Sequence, residues 1–87
     1  MDIMNATYGL ANYGGTVTVN GTMLIDDVSS GGIYNNPFGA LQASVFTNNG
    51  DISIGTSGSA GTYAIRNNGN ALWPAEFTNN GIIAINN

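Results

Sequence analysis

The chain has no cysteine, no histidine and no lysine, and Arg66 is its single basic residue among 87. Without cysteine there is no disulfide and no thiolate-bound metal, and the compartment is not readable from thiol usage. Without histidine, cysteine or lysine, the usual general bases and activated nucleophiles are missing. Only the carboxylates of Asp2, Asp26, Asp27, Asp51 and Glu76 remain for acid–base work. One cation against five acids gives a net charge of −4, which leaves nothing to neutralise a run of phosphates, so neither nucleic acid nor an anionic membrane surface is expected as a partner. Apolar runs are only a few residues long, too short for a membrane-spanning helix. The first residues show neither the basic nor the apolar region of a signal peptide.

Charged residues make up 7% of the chain, against about 25% in ordinary globular proteins. A hydrophobic content of 43% with so few charges is the opposite of the disordered pattern. A folded chain is expected, kept in solution by Asn, Thr, Ser and exposed backbone.

What the sequence does have is a repeat. Phe46-Thr47-Asn48-Asn49-Gly50-Asp51-Ile52-Ser53-Ile54 returns as Phe77-Thr78-Asn79-Asn80-Gly81-Ile82-Ile83-Ala84-Ile85, 31 residues later, and Leu10, Leu41 and Leu72 keep the same spacing. A repeat of this length in a glycine-rich, strand-like chain indicates a solenoid. Aligning on the glycine before each apolar pair gives three strand copies, Gly15–Val19, Gly50–Ile54 and Gly81–Ile85. Period-2 alternation then sets Val17/Val19, Ile52/Ile54 and Ile83/Ile85 in one interior column. On this alignment the first turn carries extra residues, placed near Asp26-Asp27-Val28-Ser29-Ser30. The Asn-Asn-Gly segments read as corners that tolerate left-handed backbone, with Asn48/Asn79 and Asn49/Asn80 stacking as amide ladders.

Two further elements recur. Small-x-Tyr occurs at residues 6–8, 32–34 and 61–63, and Leu is followed by an aromatic at Leu10…Tyr13, Leu41…Phe46 and Leu72…Phe77. The expected fold is therefore all-β: a parallel β-solenoid (β-helix) of about three turns with three short strands per turn. It forms one domain over residues 1–87, with a partial turn at 6–13, turns at 14–45 and 46–76, and a partial turn at 77–87.

The repeated F-T-N-N-G-x-I-x-I at 46–54 and 77–85, with G-x-Y between, resembles the β-helical passenger stalks of Gram-negative autotransporter adhesins, over roughly residues 10–87. The resemblance implies an extracellular, bacterial cell-surface location and a role in display and adhesion. Such passengers run to hundreds of residues and carry a translocator barrel, which these 87 residues do not contain. The partial turns at the two ends are complementary, so head-to-tail stacking into a homo-oligomer or filament is expected through Tyr8, Leu10, Ile83 and Ile85.

The function expected is structural and non-catalytic, as an adhesin stalk segment or a self-assembling surface filament, with no cofactor. The alternative is a glycan-binding module or a segment of a trimeric fibre, with Trp73 as the glycan or subunit contact. Asp26-Asp27 reads as a loop of solvated acids before a Ca²⁺ or glycosidase pair, because neighbouring strand residues face opposite sides. Tyr34 and Tyr63 read as a packing stack, and Arg66 as the surface partner of an acid. Thr16-x-Thr18 is not continued in later copies, which removes an ice-binding threonine array.

Overall fold

The computed structural model describes residues 1–37 and 41–86. It holds ten short strands and, among the described residues, no helix: β1 (Asp2–Met4), β2 (Tyr8–Asn12), β3 (Gly15–Val19), β4 (Thr22–Asp26), β5 (Gly31–Asn35), β6 (Ser44–Asn48), β7 (Asp51–Ile54), β8 (Tyr63–Asn67), β9 (Ala75–Asn79) and β10 (Ile82–Ile85). Every third strand pairs in parallel, giving sheet A (β1-β4-β7-β10), sheet B (β2-β5-β8) and sheet C (β3-β6-β9). This is the expected β-solenoid of three strands per turn and about three turns.

The register differs from the sequence alignment in the first turn. β3 pairs with β6, setting Val17 against Phe46 and Val19 against Asn48. The true counterpart of Asp51–Ile54 is Thr22–Ile25, with Met23 on Ile52 and Ile25 on Ile54. The interior columns of sheet A are therefore Met23–Ile52–Ile83 and Ile3–Ile25–Ile54–Ile85. Val17 heads a different column, with the Phe46 and Phe77 rings stacked behind it at 4.8 Å. The corner before β4 reads Val19-Asn20-Gly21, so a valine replaces the first asparagine and disguises the copy. Asn20 to Asn49 is 29 positions and Asn49 to Asn80 is 31, so the excess assigned to residues 26–30 was a product of the shifted alignment.

Each corner has its own device. Leaving sheet A, the backbone turns left-handed at Asn5 (φ 56°), Asp27 (φ 53°) and Gly55 (φ 71°). The Asn-Asn-Gly corners do not use left-handed backbone, contrary to expectation. Their glycines answer a steric demand: a Cβ on Gly50 would collide with the carbonyl oxygen of Gly21, and one on Gly81 with that of Gly50. The amides beside them form the expected ladders, Asn48 Nδ2 donating to Asn79 Oδ1 at 2.9 Å, and Asn80 to Asn49 to Asn20 at 3.0 and 3.1 Å.

A second ladder, not anticipated, runs inside the corner between sheets B and C. Asn12 Nδ2 donates to Asn35 Oδ1 (2.9 Å) and Asn35 Nδ2 to Asn67 Oδ1 (2.8 Å), while the same amides donate to carbonyls of sheet C. Asn35 is fully buried, and no buried side-chain polar atom among the described residues lacks a partner. Leu41 and Leu72 are 87% and 82% exposed in the B-to-C connections, whereas Leu10 packs on the core. Their common spacing is thus not a structural equivalence.

Candidate functional site

Aromatic and cationic side chains converge on sheet B. Its register sets Tyr8, Gly31 and Tyr63 in one row across the three strands, and Ala11, Tyr34 and Arg66 in another. Adjacent strands of a ladder lie about 4.8 Å apart. Gly31, in the middle of the first row, therefore leaves a gap between two tyrosines. A Cβ there would meet the Tyr63 carbonyl at 3.1 Å and the Tyr8 ring at 3.5 Å. The result is a groove of about 220 Å³ lined by Tyr8, Gly31, Tyr34, Tyr63 and Arg66, together with Ile33 and the hydroxyl residues Ser30 and Thr62.

The rings are ordered against one another. Tyr8 and Tyr34 stack with centroids 5.6 Å apart and planes at 16°, and Tyr13 meets Tyr34 edge-on at 5.8 Å. The Tyr34 hydroxyl accepts from Asn36 Nδ2 at 2.6 Å, which fixes that ring. The Arg66 guanidinium carbon lies 4.9 Å from the Tyr63 centroid and 5.6 Å from that of Tyr34. Arg66 was expected to pair with a surface acid. It instead sits on two aromatic faces, because its register partner is Tyr34 and no acidic residue lines the groove. The expected Tyr34/Tyr63 stack is likewise replaced by Tyr8/Tyr34, with Arg66 over the Tyr63 ring.

The acidic corner is a different kind of place. Asp26 is 5% exposed and accepts from the Ser57 hydroxyl at 2.6 Å, from Gly58 N at 2.8 Å and from Ser57 N at 3.2 Å. These bonds, the Ser57 hydroxyl first and the Gly58 N–H next, hold its carboxyl below the usual carboxylate value, although burial opposes them. Asp26 is thus not the solvated loop acid the sequence suggested. It caps the next turn's corner, while its neighbour Asp27 turns out to solvent. Among the described residues no group of three or more His, Cys, Asp or Glu is placed to hold a metal ion.

The remaining residues singled out from sequence lie elsewhere. Tyr8 and Leu10 belong to β2, which pairs only with β5, and Ile83 and Ile85 belong to β10, which pairs only with β7. Trp73 is half-buried in the β8–β9 connection, in a small closed turn in which Asn70 Oδ1 accepts from Trp73 N (2.8 Å) and Asn70 N donates to the Trp73 carbonyl (3.0 Å). It does not line the tyrosine groove. Sequence reasoning missed Tyr13 and Arg66 as members of one cluster. The signal was the equal distance of Tyr34 and Arg66 from the ladder asparagines Asn35 and Asn67. No family model, curated protein or solved structure matches the chain.

Proposed function

We propose that the chain is a structural, non-catalytic β-solenoid unit, displayed at a cell surface and extended in line through its end rungs. The surface location rests on the resemblance to adhesin stalks alone. The observation that carries the structural role is the open core at both ends. Ile3, Leu10 and Val17 at one end, and Ile65, Phe77 and Ile83 at the other, are only half covered. Ile85 on the last strand is 51% exposed. A solenoid whose apolar columns run out uncovered calls for a continued ladder.

Extension by a second copy has a geometric condition. Sheet A has four strands where sheets B and C have three, so the β10 of one copy and the β1 of the next compete for one rung. The competition favours β10. It pairs over four residues and carries two inward isoleucines, Ile83 and Ile85, whereas β1 pairs over three and contributes only Ile3. Head-to-tail joining therefore has β10 displace β1 and add a side chain above Met23 that β1 does not supply.

The test is negative-stain electron microscopy with sedimentation of the 87-residue chain across a concentration series. Unbranched fibres, lost on Ile83→Pro and accelerated by deletion of residues 1–5, support the reading. A species that stays single-copy at the highest concentrations, with or without residues 1–5, refutes extension by copies.

A further inference from the structure

We infer that the tyrosine groove of sheet B is a binding site for a carboxylate-bearing sugar, of the hexuronate class, as one unit of an acidic glycan. The inference stands on the side chains of sheet B and is independent of how the ends behave.

The size of the groove limits the occupant. Its volume of about 220 Å³ lies below the ~300 Å³ at which pockets for drug-sized ligands begin. One ring fits, so a longer ligand leaves its other units outside. Main-chain pairing is no competitor at this face: β5 is paired on both sides within sheet B, so the groove presents side chains and not a free strand edge.

The chemistry of the walls selects the ring. Tyr8 and Tyr63 are 39% and 50% exposed, flanking the gap at Gly31. Aromatic faces turned to solvent attract flat, weakly polar C–H faces, and each phenol adds a hydroxyl at the rim. Ser30 and Thr62 add two more hydroxyls. A pyranose has this combination, with C–H groups on a face and hydroxyls around the edge.

Charge decides the type of sugar. Arg66 is the only cationic side chain of a chain with net charge −4, yet none of the five carboxylates lines its groove. Its guanidinium carbon lies over the Tyr34 and Tyr63 rings, and a guanidinium held over aromatic rings keeps N–H donors for a further partner. Two parallel N–H donors are the geometric complement of one carboxylate. A lone guanidinium does not neutralise a polyphosphate, whereas it matches the single charge of a uronate.

The experiment is calorimetric titration of the full chain with an oligogalacturonate and with a neutral oligosaccharide of equal length. The oligogalacturonate is expected to bind with a dissociation constant below about 1 mM and at least about tenfold more tightly than the neutral sugar, with the preference shrinking as salt rises. Arg66→Gln, at an exposed position, is expected to abolish that preference while the far-UV dichroism is unchanged. Tyr63→Ala is expected to remove binding of both sugars. Absence of oligogalacturonate binding at millimolar ligand overturns the assignment. So does equal affinity for the two sugars, or an Arg66→Gln variant that retains the preference.

Discussion

Replacing Asn35 by leucine tests whether the buried amide ladder holds sheets B and C together. Asn35 Nδ2 donates to the Ser44 carbonyl (3.1 Å), the Glu76 carbonyl (3.0 Å) and Asn67 Oδ1 (2.8 Å), and its Oδ1 accepts from Asn12 Nδ2 (2.9 Å). Leucine has the same branched skeleton, a larger volume and none of these groups. The two N–H groups of Nδ2 are shared among three acceptors, so the side chain makes about three full bonds, and at a net ~1 kcal/mol each their loss amounts to about 3 kcal/mol. The added apolar burial returns roughly 1 kcal/mol, leaving a loss of about 2 kcal/mol before the cost of fitting the larger side chain. That is a large share of the ~4–13 kcal/mol that a domain of this length is expected to have. Asn67→Leu is the control. Asn67 is exposed and keeps only the bond to the Ala75 carbonyl (2.9 Å) and the one accepted from Asn35, so water substitutes and the loss should stay below about 1 kcal/mol. Urea unfolding followed by far-UV dichroism measures both, with the m-value expected to be unchanged. Equal losses in the two variants, or a loss below 1 kcal/mol for Asn35→Leu, would refute the claim that the ladder's interior rung carries the corner.

Gly50→Ala should lower the melting temperature sharply, at a cost of about 1–3 kcal/mol or more, because its Cβ runs into the backbone of Gly21. Gly21→Ala, with nothing within 4 Å of the new methyl, should be close to neutral, and equal shifts in calorimetry would contradict the corner argument. Asp26 predicts a pH effect of definite sign. Its folded pKa is lowered from the ordinary 3.8, so its contribution is present above 3.8 and lost as pH falls through the lower folded value. Denaturant titrations between neutral and strongly acidic pH should show that loss in the wild type. Asp26→Asn should flatten it. Phe77→Ala, on the last rung of the sheet C column and half covered, should cost less than Phe46→Ala, which empties a fully buried site and is expected to lose about 3–5 kcal/mol.

The architecture was legible because a solenoid repeats its own constraints. The apolar pairs Ile52/Ile54 and Ile83/Ile85 and the glycines before them announce strands, corners and stacking in a single pattern. The first turn was misread because the pattern there is carried by geometry with few identical letters. Met23 and Ile25 fill the column of Ile52 and Ile54, but Val19 sits where the later corners have asparagine. A strand-to-strand alignment needs only compatible volumes, so Gly15–Val19 matches the later copies as well as Gly21–Ile25 does. The Asn12–Asn35–Asn67 ladder escaped for a related reason. Its spacings of 23 and 32 differ because the connections between strands vary in length, which spatial stacking tolerates and sequence periodicity does not.

The groove was illegible on stronger grounds. Residues that build the repeat must be alike from rung to rung, since each packs on its own counterpart. Residues that face outward on sheet B are under no such demand, and there the rows are dissimilar: Tyr8, Gly31, Tyr63 in one and Ala11, Tyr34, Arg66 in the other. Tyr34 has the small-x-Tyr context of Tyr8 and Tyr63, yet stands three positions further along its strand. That shift leaves Gly31 without a side chain between the other two tyrosines, while the Tyr34 ring still reaches Tyr8 and stacks on it. A hollow forms on a ladder only where the ladder's symmetry is broken, because identical rungs make a flat or ridged face. In this chain the repeat supplies the rigid frame, and the departures from it, Gly31, Tyr34 and Arg66, supply the chemistry.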